Sequence, residues 1–379
     1  MKNLMLLISF CFSFQIAIAQ SETEAIKSTL TDYIEGTSYN YTDRINNAFY
    51  ENAELFLENK EHKLWVVPIK EYVGFFKDSK QGVFNNRIGN IISIDQFENI
   101  AIAKVEILMP KRDSRYMDMF LLKKLEGNWK IISKTAAKEN SNKKGKRILF
   151  VTSNADHYGD SDIKTGNSFS EIVFAYDEFD KAGYIIDFVS PEGGAVPLSY
   201  INTADDLQKK YLYNSDFMYG LGHSKSPEEV KTSEYSAIYY VGGGSAMFGV
   251  PENKEIQQIA VDIYEKQNGI VASVCHGTAG IVNLKTKDGK YLFANKKVSG
   301  YPDEYERAGA DYLKEFPFMI QETIEKRGGQ FHFAPRGSSH VEVDGRLITG
   351  QNNLSAKGMA EAVIETLSEI EKEVLQSQK

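Results

Sequence analysis

Gly269-Ile-Val-Ala-Ser-Val-Cys275-His276-Gly277-Thr278-Ala279-Gly280 decides how this chain is read. A run of β-forming residues stops at Cys-His-Gly and gives way to small residues that tolerate a helix. The pattern predicts a buried strand, a tight strand-to-helix turn and a thiol held at the turn. That is the geometry of a nucleophile elbow with sulfur in place of oxygen. Three inputs are expected to favour the thiolate: a helix N-terminus at the elbow, the neighbouring His276, and exposure of the sulfur at the sheet's end. A buried structural cysteine is the alternative.

Outward from the elbow, strand and helix alternate. Strands are expected at 147–153, 184–190, 235–241 and 270–274, and helices at 168–182, 205–211, 254–267, 316–327 and 354–375. A hairpin-like β segment is expected at 340–349. Repeated βα units imply an α/β domain with a mostly parallel sheet covered on both faces. Ligands in such sheets bind at the carboxyl ends of strands. Asn154-Ala-Asp156, Gly242-Gly-Gly244 and Cys275-His276 all fall there.

The 379 residues exceed what one core usually serves, so two domains are expected. Residues 1–19 read as a signal peptide: Lys2, an apolar run from Leu4 to Phe14, and Ala17-Ile18-Ala19 before Gln20. Cleavage after Ala19 predicts a periplasmic or secreted protein, with no membrane association after cleavage; a retained signal anchor is the alternative. Of the two cysteines, Cys11 leaves with the leader and Cys275 remains without an intramolecular partner. The net charge of −8 becomes −9 when Lys2 is removed, which argues against nucleic acid as a partner.

Residues 20–137 form the first expected domain and 138–145, Lys-Glu-Asn-Ser-Asn-Lys-Lys-Gly, a polar linker; 146–379 is the second domain. Ser21-Glu-Thr-Glu24 has capping-box spacing, and Ile26, Leu30, Tyr33 and Ile34 mark one helical face. Another helical piece is expected at 43–50, β segments at 53–58 and 64–67, and a helix at 70–76. A meander follows, with strands at 87–95, 101–109, 115–125 and 129–133.

Helices followed by a long meander ending in Gly127-Asn-Trp-Lys-Ile131 resemble the nuclear-transport-factor-2-like superfamily, closest to its lumazine-binding branch, over residues 22–136. The resemblance implies an α+β cone with an apolar pocket. Tyr39, Tyr41, Tyr50, Trp65, Phe75, Phe76 and Trp129 would line it, or simply fill the core. Catalytic members of that superfamily use an Asp-His pair, whereas the domain's only histidine, His62, lies in a charged turn, so no chemistry is assigned to this domain.

Ala272-Ser-Val-Cys-His-Gly-Thr278 resembles the elbow of the ThiJ/PfpI superfamily, the Parkinson disease protein 7-like proteins, whose fold is flavodoxin-like, doubly wound and related to class I glutamine amidotransferases. Lys164-Thr-Gly-Asn-Ser-Phe-Ser-Glu171, Asp187 to Gly194, Val298-Ser-Gly-Tyr-Pro-Asp-Glu-Tyr-Glu306 and Val343-Asp-Gly-Arg-Leu-Ile-Thr-Gly-Gln-Asn352 resemble its heat shock protein 31 and glyoxalase III-type branch, over 146–371. The resemblance implies catalytic roles for Cys275, His276, Glu306 and Glu171. Glu171 would be a buried, protonated carboxyl beside the sulfur, and Glu306 would orient the histidine, with Asp303 and Glu304 as nearby decoys. Gly243, Gly244 and the His276 amide would form an oxyanion hole. His340 is a further site candidate.

Two departures bear on the substrate. The branch usually has Gly-Gly-His-Gly where this chain has Gly242-Gly-Gly-Ser245, so a pocket histidine is missing. The elbow usually continues to proline, and here Thr278 follows. No cofactor is expected. His157, His223, His332 and His340 lack metal-ligand spacing, so no metal is expected either.

The implied function is a glutathione-independent glyoxalase acting on a small carbonyl substrate such as methylglyoxal, in a homodimer. A cysteine-nucleophile amidase or peptidase is the alternative from another enzyme class. A non-enzymatic, redox-sensing, chaperone-like dimer is the third reading.

Overall fold

A computed structural model describes residues 22–377 and divides after Gly145 into two compact units. The expected signal peptide and Ser21 lie outside the described residues.

In the first unit, helix α1 (22–39) precedes α2 (Thr42–Ala48), β1 (Phe49–Glu58), β2 (Leu64–Pro68), α3 (Ile69–Gly74), β3 (Ile88–Phe97), β4 (Ile100–Met109), β5 (Ser114–Leu125) and β6 (Asn128–Asn140). The strands form one sheet in the order β2-β1-β6-β5-β4-β3, antiparallel except for the β1–β6 pair. Ile26, Leu30 and Tyr33 on α1 are fully buried, as their spacing predicts, and Ile34 is half-buried. The expected linker is shorter than its polarity suggests. β6 continues to Asn140, because its backbone pairs with β5 from Ser114 onward whatever side chains it carries.

The expected aromatic pocket is not assembled as such. Phe76 and Trp129 are buried, with the Trp129 indole N–H donating to Glu22. Tyr39, Tyr50, Trp65 and Phe75 are instead more than a third exposed. Between α1 and the sheet lies a buried polar group: Tyr33 donates to Asp118 at 2.6 Å, and Lys134 pairs with Asp118 at 3.0 Å. His62 is exposed and pairs with Glu58.

In the second unit, β7 (Arg147–Val151), β8 (Asn167–Ser168), α4 (Phe169–Lys181), β9 (Ile185–Val189), β10 (Leu198–Ser199), α5 (Asp206–Leu212), α6 (Ser215–Gly222) and β11 (Tyr235–Tyr240) precede the elbow. Then come α7 (Lys254–Lys266), β12 (Ile270–Val274), β13 (Lys297–Val298), α8 (Ile320–Lys326), β14 (Gln330–Phe331), β15 (Val341–Asp344), β16 (Leu347–Gly350) and α9 (Ala356–Ser377). The main sheet runs β15-β16-β12-β11-β7-β9, parallel throughout except for the β15–β16 hairpin.

β7 and β12 are buried at every position, as strands covered on both faces must be. One core holds Phe150, Phe169, Phe179, Tyr239 and Met359; the other holds Leu149, Ile238, Ile259, Val271 and Phe293. α7 starts where the Asn253 side chain accepts from the Ile256 amide, an N-cap that satisfies one of the helix's orphan donors. The helix expected at 316–327 begins only at Ile320, because Phe316 has an extended backbone and packs on His276 and 317–318 form a bend. Among the described residues, no helix is long and apolar enough to cross a membrane.

Candidate active site

β12 delivers Cys275 to the carboxyl end of the sheet, and the turn there is sharp. Cys275 has φ 55°, in the left-handed region that costs an ordinary residue about 1 kcal/mol or more. This bend lets two adjacent side chains meet: Cys275 Sγ lies 3.4 Å from His276 Nδ1. The opposite ring nitrogen, Nε2, is 2.8 Å from Glu306 Oε1. Glu306 is an acceptor when ionised, so Nε2 carries the proton and Nδ1 faces the thiol as a base. Tyr312 donates to the other Glu306 oxygen at 2.9 Å. Tyr301 stacks on the imidazole at 4.5 Å between centroids, and Phe316 meets its edge at 5.8 Å.

The acidic side of the sulfur is equally built. Glu171, in the first turn of α4, is 2% exposed and accepts the Gly242 amide at 3.0 Å. Burial pushes its carboxyl up to about 8, against the hydrogen bonds from Cys275, Gly242 and Ser168. The Cys275 thiol is also pushed well up, first by burial and then by the Glu171 charge, while the His276 backbone N–H pulls it down. Each charge opposes the other's formation, so the two titrations are linked. With the proton on Glu171, the carboxyl donates to a thiolate. With the proton on sulfur, His276 Nδ1 stands ready to take it. Gly242 makes the approach possible: a Cβ there would lie 2.3 Å from Glu171 Oε2 and 2.8 Å from Cys275 Cβ.

Two expectations for the thiol are corrected. The segment after it is a 3-10 turn, Cys275–Ile281, not an α-helix, so little dipole is aimed at the sulfur. Cys275 is 8% exposed, so the sulfur is enclosed by its neighbours rather than presented at the sheet's end, and desolvation opposes its ionisation.

The other expected residues divide clearly. Gly243 takes φ 101° and Gly244 opens the 3-10 turn Gly244–Met247, which leaves their amides beside the elbow. Asp303, in the short turn Asp303–Tyr305, caps α8 by accepting the Gln321 and Glu322 amides at 2.9 Å each. Glu304 is exposed. His340 pairs with Glu342 at 2.9 Å and is not brought to the thiol's hydrogen-bonded chain. Thr278 is fully buried, bonded to Ser273 and donating to the Ser299 carbonyl. His157 pairs with Asp156, and His223 stacks on Tyr219. Among the described residues no group of three or more His, Cys, Asp or Glu side chains is arranged to hold a metal. Composition and motif reading missed Tyr312 and Tyr158. The only signal for them was aromatic density in the loops between recognisable motifs.

A doubly wound sheet with a strained cysteine at a strand end, a histidine beside it and a buried acid against it defines a class of cysteine-elbow proteins. The chain belongs to the DJ-1/PfpI family, whose profile matches residues 163–366. Residues 21–136 match the profile described as "Putative lumazine-binding".

Among curated proteins, the chain is similar to the glutathione-independent glyoxalase HSP31 of Saccharomyces cerevisiae. The two are 33% identical over 235 residues, covering 59% of this chain and 98% of the relative. It is also similar to glyoxalase 3 of Candida albicans, at 29% over 231 residues, covering 58% of this chain and 97% of the relative. Among solved structures, the Rapid Encystment Protein of Francisella tularensis superposes with a TM-score of 0.56 at 30% identity, covering 59% of this chain and 99% of that one. Glyoxalase III of Candida albicans superposes with a TM-score of 0.53 at 27% identity, covering 58% and 97%.

Proposed function

We propose that the chain is a cysteine-dependent, glutathione-independent glyoxalase that converts methylglyoxal or a related 2-oxoaldehyde to the 2-hydroxy acid. The observation that carries this reading is the sulfur's double flank: His276, oriented by Glu306, on one side and protonated Glu171 on the other. A nucleophile needs only the first. Moving a proton between adjacent carbons needs a second acid-base group as well. The names of relatives spanning nearly their whole length on this chain support the same chemistry.

Thiolate attack on the aldehyde carbon forms the C–S bond and an alkoxide, which the amides of Gly243, Gly244 and His276 receive. Removal of the proton on that carbon sends its electron pair into the C1–C2 bond and gives an enediolate. Protonation at C2 then leaves a thioester, and water displaces the thiol to release the hydroxy acid. His276 and Glu171 are the two groups placed to take and return these protons. No step needs a redox partner, because C1 is oxidised as C2 is reduced.

Loss of methylglyoxal and formation of lactate without glutathione, measured for wild type and Cys275→Ser, test this. Lactate from wild type alone supports the reading. Equal rates for the two proteins, or aldehyde loss without lactate, overturn it. Cys275-dependent cleavage of amide or ester probes in place of lactate formation would shift the assignment to a hydrolase. The leader pattern at residues 1–19 supports export to the periplasm or medium, which predicts a mature protein beginning at Gln20. N-terminal sequencing of the fractionated protein checks that.

A further inference from the structure

Position 244 lacks a side chain, yet the space a side chain would take there is not empty. A Cβ on Gly244 would lie 2.3 Å from the Tyr158 hydroxyl oxygen and 2.5 Å from Thr165 Oγ1. Tyr158 therefore reaches to the glycine that follows β11, beside the amides at the elbow. Its ring is only 9% exposed and is held by Tyr312 at 5.1 Å, Phe316 at 6.0 Å and Phe248 at 6.3 Å between centroids. Two of these rings also touch the thiol's chain of groups: Tyr312 donates to Glu306, and Phe316 lies against His276. A rotation of Tyr158 would disturb both. The phenol is thus fixed against the pocket's glycine wall.

A second phenol, Tyr200, lies close enough to Tyr158, Cys275 and Glu171 to interact electrostatically with all three. It is 62% exposed, so it stands at the open side of the pocket while Tyr158 forms the wall. Tyr200 also has φ 59°, a left-handed backbone that a bulky aromatic adopts only when its surroundings impose it. The strand just before it, β10, is pinned to β8, whose Ser168 amide donates to Gly242 at 2.8 Å. The strain therefore aims the second phenol from a scaffold that also builds the site. A phenol ordinarily titrates at about 10, so Tyr200 is a hydrogen-bond donor at neutral pH.

A pair of neutral hydroxyls suits a neutral oxygen. The substrate oxygen on the attacked carbon is already provided with backbone amides. We infer that Tyr158 and Tyr200 form a clamp for the second oxygen of the substrate, on the carbon adjacent to the one that Cys275 attacks. Such a clamp makes the pocket selective for 2-oxoaldehydes and 2-hydroxyaldehydes over simple aldehydes. In the oxoaldehyde case the same oxygen takes up electron density when the C1 proton leaves and the C1–C2 double bond forms, so the phenols strengthen their hold at that stage. Tyr158 and Tyr200 are on this basis specificity-determining residues. The inference rests on Cys275 being the group that takes the carbonyl, but not on the product that follows.

The test reads binding at Cys275 rather than turnover. The concentrations of methylglyoxal and of propanal that protect Cys275 from iodoacetamide are compared. Propanal has the same carbon number and lacks the second oxygen. The ratio of the two is divided by the same ratio measured for free N-acetylcysteine, which removes the intrinsic difference in electrophilicity.

The corrected ratio should favour methylglyoxal in wild type and fall about tenfold in Tyr158→Phe, the worth of one good hydrogen bond. Tyr200→Phe should behave alike. Both substitutions keep the ring, and unchanged thermal midpoints confirm that the packing survives. Gly244→Ala, whose methyl group displaces the Tyr158 hydroxyl, should reproduce the loss. An unchanged corrected ratio in both phenylalanine variants overturns the clamp, as does the absence of any preference in wild type. Lactate formation with unaltered ratios would sink the clamp and leave the glyoxalase reading standing. Preserved, phenol-dependent protection without lactate would do the reverse.

Discussion

At Cys275 the chain accepts a left-handed backbone, a buried sulfur and an acidic neighbour, each unfavourable alone, to bring three titratable groups together. The strain has a measurable signature. Cys275→Gly removes it and Cys275→Ala retains it, so the glycine variant should unfold at higher temperature than the alanine variant. The expected gap is about 1 kcal/mol by calorimetry. Glu171 carries the clearest pH dependence. Its carboxyl is held at about 8 when folded against 4.5 ordinarily, so between those values the folded chain keeps a proton that the unfolded chain has released. Stability therefore falls as pH rises through that window, by at most about 1.4 kcal/mol per pH unit, and levels off above it. Glu171→Gln should lack this slope in urea titrations at pH 5 to 9. The same substitution removes the negative charge beside the thiol, so the pH midpoint of iodoacetamide alkylation should move down. Lactate formation should nevertheless drop about a hundredfold, because the proton carrier is gone.

Elements matter here for where they end. β12 stops at the elbow and β11 stops at the glycine wall, while α4 begins at the acid; parallel strand order places all three at one end of the sheet. α8 contributes indirectly. Asp303 binds its first-turn amides, and the short turn that carries Asp303 delivers Glu306 to His276. Asp303→Ala should cost about 1 kcal/mol of stability as a lost cap. It should also raise the apparent disorder of the Glu306 segment, read as faster amide exchange at 303–307 and several-fold lower activity. Retention of full activity would mean that the turn holds without its anchor. The repeated βα rhythm made these elements legible in advance, since buried strands and capped helices are local patterns. The start of α8 was misplaced because Phe316-Pro-Phe318 is apolar enough to extend a helical period. Its actual partner, the His276 ring, is forty residues away. The end of β6 was missed for a related reason: a polar strand is held by its neighbour's backbone, which composition does not show.

For the whole molecule, the two units keep separate accounts of buried charge. In the first, Asp118 balances Lys134 beneath α1, with Tyr33 donating to the same carboxylate. In the second, Asp187 is held below the usual carboxylate range, against its burial, chiefly by Arg147 and Lys225. Asp118→Ala strands a buried ammonium group and should destabilise the first unit by about 3–5 kcal/mol. Cys275 alkylation should be unchanged under native conditions, and calorimetry should show an early transition that wild type lacks. Loss of Cys275 reactivity in that variant would show that the units do not fold independently.

Local sequence alone determined much of this protein. The apolar run ending in Cys-His-Gly, the main alternation of strands and helices and the thiol at the turn are readable from spacing and residue type. So is the boundary between a helix-then-meander unit and an alternating one. Glu171, by contrast, enters only through its motif's resemblance to the ThiJ/PfpI superfamily. Tertiary structure decided which carboxylate serves His276. Asp303, Glu304 and Glu306 lie within four residues, and only the approach of α8 and Tyr312 separates a helix cap, a solvated side chain and the imidazole's partner. It also decided that the sulfur is enclosed rather than presented, because Glu171 reaches Gly242 across 71 residues of chain. And it filled the hollow at Gly244 with a phenol from another loop. Contacts of that kind depend on where strands end in space, and residue spacing carries no record of it.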